Sequence, residues 1–405
     1  MPVCSYTRRG FIAGSAAVGS CFSFGHVLAQ SSDPADLTIE EASKLIRARS
    51  LSPTELVRAY LERIGRLNPQ LNAFITVTEE LAYEQARERE SELDRGLWRG
   101  PLHGIPIALK DNIDTAGVLT TAGSALFAER IPSEDAEVVL RLKEAGAVLL
   151  GKLNMHEFAY GATSGISHYG SVHNPWNLDR IPGGSSGGSA AAVSSRLCAA
   201  ALGTDTGGSI RQPAAYCGIV GLKPTYGLVS IRGIIPLAVS QDHVGPMCRT
   251  VADTALMLQA LAGYDPGDLA SIRADVPDYM SALYRRTSEF RIGVARSFFF
   301  EDLDEDIEEV TDRALAILSD LTATAQDVEL PMPTVRVVPV EPYAYHAEYL
   351  EQQETRALYQ PRVLSRLLTG ADIPATTYLE ARNELARVQR EIETVFSEVD
   401  LLITP

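Results

Sequence analysis

Two serine-containing glycine runs, set inside apolar sequence, constrain this chain more than any other feature. The first, Gly183-Gly184-Ser185-Ser186-Gly187-Gly188-Ser189, runs directly into Ala190-Ala191-Ala192-Val193. Cys198 to Leu202 then leads to the second, Gly203-Thr204-Asp205-Thr206-Gly207-Gly208-Ser209. Gly/Ser-rich segments commonly serve as turns or flexible linkers. A linker does not run into an apolar helix and strand, so these glycines are predicted to lie embedded in a core. Glycine permits positive φ and lets a substrate approach bare backbone. Gly207-Gly208-Ser209 can therefore aim several N–H groups at one point, which is how an oxyanion is held.

Other glycine-serine readings fail on their spacing. A P-loop needs Gly-Lys-Ser/Thr after four residues, and Gly183 to Gly188 is followed by Ser189 with no lysine. Gly183-Gly-Ser185-Ser-Gly187 does match the G-x-S-x-G nucleophile elbow, with Ser185 as nucleophile. That elbow needs a strand directly before it, whereas Asn174 to Pro182 carries two prolines and no alternation. A base other than histidine is then needed. Lys110 ends the apolar run Ile105-Pro-Ile-Ala-Leu109, which reads as a buried strand. At its ordinary pKa a lysine is almost wholly protonated at pH 7. Burial in a glycine-lined cleft would have to lower it by about three pH units, roughly 4 kcal/mol, before it could act as a base.

Taken together, Lys110, Gly-Gly-Ser185-Ser-Gly-Gly-Ser and Gly-Thr-Asp-Thr-Gly-Gly-Ser209-Ile-Arg resemble the amidase signature family. The likeness extends through Gly151 to Ala159, Cys217 to Pro224 and Asp242 to Pro246. It implies a Ser–cis-Ser–Lys triad of Ser209 as nucleophile, Ser185 as bridge and Lys110 as base, with the cis peptide at Gly184-Ser185. It further implies a seryl acyl-enzyme and an oxyanion hole made by the N–H groups of Thr206, Gly207, Gly208 and Ser209. Asp205 and Arg211 flank the nucleophile and are expected to orient its loop. Met155, Phe158 and Tyr160 border the site in relatives, which would make the acyl pocket apolar or aromatic.

The fold class expected is α/β, a single large mixed β-sheet flanked by helices on both faces. Helix, turn and buried strand follow one another from Lys143 to Leu150, and Ser52 with Glu55 begins a helix through a capping box. Residues after about Gly263 lose the motif density and are read as helices that shape the pocket. Thr7-Arg8-Arg9-Gly10-Phe11-Ile12 and the apolar run behind it resemble a twin-arginine signal. This divides the chain into a signal over 1–29 and one catalytic domain over 30–405, with export to an extracytoplasmic compartment. No stable membrane span is expected in the mature chain. The end at Asp400-Leu-Leu-Ile-Thr-Pro405 is expected to be a truncation that opens a sheet edge.

With 36 basic against 52 acidic side chains, a net charge of −16, nucleic acid is not an expected partner. The five cysteines give no disulfide framework, and no histidine sits in a metal-binding spacing. Neither cofactor nor metal is expected. The partner is a small-molecule amide, with a homodimer left open. Two classes compete: a free-standing amide hydrolase, and the glutaminase subunit of a tRNA amidotransferase. The export signal, the negative charge and Tyr343-Ala-Tyr-His-Ala-Glu-Tyr349, which lacks a Ser-Asn-Leu-Ala-Arg run, favour the hydrolase.

Overall fold

Residues 33–333 and 339–405 are described by the computed structural model. Nine strands occur among them: β1 (Phe74–Val77), β2 (Pro106–Lys110), β3 (Val148–Leu153), β4 (Ala200–Asp205), β5 (Val220–Gly221), β6 (His243–Cys248), β7 (Arg291–Val294), β8 (Thr324–Asp327) and β9 (Leu401–Ile403). The first six make one mixed sheet in the order β1-β3-β2-β4-β6-β5. β2 runs parallel to both β3 and β4, while β1 and β6 pair antiparallel at either side. Every residue of β2, β3 and β4 is buried, because helices cover both faces; continuous apolar runs such as Pro106–Leu109 are what such strands require. The register sets Leu109 opposite Lys152 on one side and Leu202 on the other. Lys110 and Asp205 therefore close neighbouring strands at the same carboxyl end, where open α/β sheets present their ligands.

The helices follow their local signals. Pro53–Leu71 begins at Ser52, whose side chain accepts the Glu55 N–H while Glu55 reaches back to the Ser52 N–H. Gly187–Ser194 follows the first glycine run and is buried from Gly187 to Val193. Its glycines are packing requirements: a Cβ on Gly188 would stand 2.2 Å from the Asn154 carbonyl oxygen and 2.7 Å from that of Ala73. Gly188→Ala is thus expected to cost about 1–3 kcal/mol through forced backbone movement, read as a lower thermal midpoint; an unchanged midpoint would refute this close packing.

The strands beyond residue 290 form a sheet of their own, β8-β7-β9, all parallel. β7 pairs with neither edge strand of the first sheet, β1 or β5. Ile292 and Val294 pack instead with Leu315 of the helix Glu305–Leu321. Arg291 donates to both carboxylate oxygens of Asp400, 3.2 and 3.0 Å, joining residues 109 apart in sequence. The helices Val340–Glu351 and Pro361–Leu368 turn back to the first body, where Leu350, Val363 and Leu367 share a core with Ala122, Phe127 and Phe158. No helix among the described residues is long and apolar enough to cross a membrane.

Candidate active site

Lys110 is completely buried, and its Nζ donates to Ser185 Oγ and to Thr204 Oγ1, each at 2.7 Å. Burial pushes its pKa down to about 7, against the opposing pull of the Asp205 and Asp242 charges. The buried site therefore favours the neutral amine at neutral pH far more than water does. Lys152, one strand away, obeys the same sequence rule of an apolar run ending in lysine. It too is fully buried, with burial lowering it to about 8. Its Nζ is bound to Thr120 Oγ1 and the Ile113 carbonyl, so it braces a loop and faces neither serine.

Ser185 sits after a cis peptide bond to Gly184. Its carbonyl accepts the His156 N–H and the Ser164 hydroxyl, both at 3.1 Å, which leaves its own hydroxyl to Lys110. Ser186 knits the two glycine runs together. Its Oγ exchanges hydrogen bonds with the Thr204 backbone, and its N–H donates to the Ser209 carbonyl at 3.2 Å.

The Ser209 loop is organised by a carboxylate at its base. Asp205, with no exposed surface, accepts the Gly208 N–H at 2.7 Å, the Ile210 N–H at 3.1 Å, and both Nε and Nη2 of Arg211 at 2.9 Å. Burial opposes its charge, but the Arg211 guanidinium and these N–H groups outweigh it and hold Asp205 below the usual carboxylate range. Thr206 donates its hydroxyl to Asp242, which burial pushes up to about 6. Gly207 and Gly208 look onto open space, with Gly208 at φ +123°, so the loop presents bare backbone outward. One expected donor is not free: the Gly208 N–H is committed to Asp205. Those of Thr206, Gly207 and Ser209 have no partner among the described residues.

The expected pocket residues separate. Met155 has no exposed surface and packs with Ala159 and Leu237, and Phe158, at φ +50°, turns its ring against His346 and Tyr359. Both are buried among core side chains, whereas Tyr160 lines a cavity. That cavity, about 430 Å³, is walled by His156, Thr163, Ile166 and the Arg362, Val363 and Arg366 face of Pro361–Leu368. One of its walls packs on the first glycine run: a Cβ on Gly184 would stand 2.8 Å from the Thr163 nitrogen. Burial pushes His156 down to about 4, with the Arg366 charge acting the same way, so its ring is neutral. The wall of this cavity carries two arginines, Arg362 and Arg366. Thr204, Asp242 and His156 lie within the stretches that carry the likeness, but only the structure shows their contacts: Thr204 Oγ1 with Lys110, Asp242 with Thr206, and the His156 N–H with the Ser185 carbonyl. The arrangement as a whole can move a proton from a hydroxyl to a buried amine beside free N–H donors.

The profile of the Amidase family matches residues 55–405. The chain is 39% identical to a glutamyl-tRNA(Gln) amidotransferase subunit of Carboxydothermus hydrogenoformans, over 91% of this chain and 82% of that protein. Further relatives at 40–42% identity bear the same name. Among solved structures, a chain of a vestigial protein complex bearing on the origins of an s-triazine catabolic enzyme superposes with a TM-score of 0.86 at 34% identity, over 91% of this chain and 81% of that one. The corresponding glutamyl-tRNA(Gln) amidotransferase subunit of Thermotoga maritima superposes with a TM-score of 0.77 at 34% identity, over 93% and 80%.

These relatives overturn the ranking of the two classes: the free-standing hydrolase gives way to the amidotransferase subunit. The Tyr343–Tyr349 segment misled for a physical reason. It lies in the helix Val340–Glu351, where His346 and Leu350 are buried beside Phe158, so its composition reports packing. The expectation of export falls with the same finding, since relatives over most of the chain are named for work on glutamyl-tRNA. The segment that suggested it, 1–29, lies outside the described residues.

Proposed function

The chain belongs to the Amidase family, and from that premise we propose that it is the glutamine-hydrolysing subunit of an amidotransferase, releasing ammonia for a partner subunit to use on aminoacyl-tRNA. The observation that carries this reading is the 39–42% identity, over about nine-tenths of the chain, to proteins named as glutamyl-tRNA(Gln) amidotransferase subunits. A net charge of −16 suits a subunit that leaves the grip on tRNA phosphates to its partner.

In this reading neutral Lys110 accepts the Ser185 proton while Ser185 accepts that of Ser209. The Ser209 oxygen then bonds to the side-chain amide carbon of glutamine. The carbonyl electron pair moves to oxygen and is met by the N–H groups of Thr206, Gly207 and Ser209, held in place beforehand by Asp205. When the tetrahedral adduct collapses, the C–N bond breaks and the relay returns its proton to the nitrogen, which leaves as ammonia. Water attacks the γ-glutamyl ester by the same relay, giving glutamate and free Ser209. The α-carboxylate of glutamine is matched to Arg362 and Arg366 in the cavity wall.

Ammonia release from L-glutamine, D-glutamine, butyramide and an aryl amide tests this. L-glutamine is expected to have the highest kcat/KM. Arg366→Ala should raise its KM by about 10- to 100-fold while leaving butyramide within threefold. Turnover of the aliphatic or aryl amides with none of L-glutamine would sink the reading.

A further inference from the structure

Glu157 has no exposed surface and touches none of the three residues assigned to the relay, yet it joins two parts of the site distant in sequence. One carboxylate oxygen accepts the Ser124 hydroxyl at 2.7 Å, and the other accepts the Gln360 backbone N–H at 2.9 Å. Gln360 is the N-cap of the helix Pro361–Leu368, whose Arg362, Val363, Ser365 and Arg366 wall the cavity. The residue before Glu157 is His156, whose N–H holds the Ser185 carbonyl, so a single short segment grips both the relay and the helix. A second tie lies at the other end of this grip. Arg366 Nη1 donates to the Tyr160 carbonyl at 2.8 Å, and its guanidinium lies 5.7 Å from the centre of the Tyr160 ring.

The geometry points to Glu157 as a positioning residue for substrate recognition: it fixes the height of the arginine-bearing helix over Ser185, and thereby the length of amide the cavity accepts. This rests on the glutaminase reading for the identity of the substrate, but not for the existence of the clamp. Each carboxyl oxygen takes one partner: burial pushes Glu157 up to about 7, and against it the Ser124 hydroxyl and Gln360 N–H favour the ionised form. A helix N-terminus also favours a negative acceptor. Glutamine can do much of the same, accepting from Gln360 through its carbonyl and donating its amide to Ser124. Alanine can do neither, and would leave the Gln360 N–H and the Ser124 hydroxyl without their acceptor.

Steady-state kinetics on L-glutamine and on butyramide, which is too short to reach the arginines, read this directly. Glu157→Ala should raise KM for L-glutamine at least tenfold with kcat within about threefold, and leave kcat/KM for butyramide within threefold. Glu157→Gln should recover most of the lost affinity. Gln360→Pro provides an independent variant should Glu157→Ala fail to fold. It removes the N–H donor, together with a side chain that makes no hydrogen bond among the described residues, at a φ of −63° that proline adopts, and should reproduce the KM rise. An equal loss on both substrates, a fall in kcat at constant KM, or no change in either variant overturns the assignment. If the wild type turns over butyramide but not L-glutamine, the glutaminase reading fails by itself. The same KM split is then read between butyramide and the longest amide in the panel that the wild type hydrolyses.

Discussion

Ser209→Ala is expected to leave a folded protein whose kcat for L-glutamine has fallen by about four orders of magnitude or more. The alanine should fit without repacking. Ser209 is half-buried, and the bonds that hold it run through backbone: its carbonyl takes the Ser186 N–H, and its neighbours Gly208 and Ile210 donate to Asp205. The loop and its N–H donors survive while the attacking oxygen is lost. What remains is the small acceleration that binding and preset donors give alone, typically far below that of a complete nucleophile relay. Matched melting curves with residual activity above about one per cent would show that another group attacks the amide.

Lys110→Met separates activity from stability in opposite directions. Loss of the base should lower kcat/KM by roughly 10³-fold or more. It should also abolish an ascending pH limb, which in the wild type has its midpoint near 7, because the amine must lose its proton to act and burial holds it at about 7. The unfolded chain keeps the Lys110 proton to about 10.5, whereas the folded chain gives it up near 7. Between those values the unfolded state binds more protons, so raising the pH stabilises the wild-type fold. At pH 7 and below, the folded protein bears the full cost of a buried ammonium, at most roughly 5 kcal/mol for that interval, less about 1 kcal/mol for each hydrogen bond to Ser185 and Thr204. Methionine removes both. The variant should melt higher than wild type at pH 6–7, and the gap should close towards pH 10. A gap that widens with pH, or a wild-type profile flat from pH 6 to 9, would contradict the buried neutral amine.

What was legible in the sequence, and what was not, follows the range of the forces involved. Ser52 with Glu55 and the apolar approach to Lys110 are local signals, and the structure realises them where they stand. The glycine runs are legible as buried turns, but their roles depend on what lies across from them. Gly188 faces a carbonyl at 2.2 Å and Gly207 faces open space, a difference no spacing encodes. The direction of Phe158 is not legible in the sequence, because it is set by a positive φ in a three-residue turn. Lys152 and Lys110 look alike in sequence and differ only in which hydroxyls the sheet brings to them. Glu157 lies within the Gly151–Ala159 likeness, but its role is hidden for the same reason: its partner at Gln360 is 203 residues away. The separate sheet β8-β7-β9 is likewise a matter of pairing order, which no strand's composition encodes.

The pairing of β7 with β9, clipped by Arg291 and Asp400, has a topological effect on the cavity. It turns the intervening chain into a closed ring, and the arginine-bearing helix Pro361–Leu368 is carried on that ring. Closing a ring of this length costs roughly 4 kcal/mol of chain entropy beyond a constant, a cost met at the small sheet, far in sequence from the chemistry. The helix therefore docks onto the Ser185 side as part of a loop with pinned ends, much as an intramolecular ligand does at high effective concentration. Weakening the pin, as in Asp400→Ala, is therefore expected to raise KM for substrate with kcat unchanged, although no residue that meets substrate is touched; steady-state kinetics checks this.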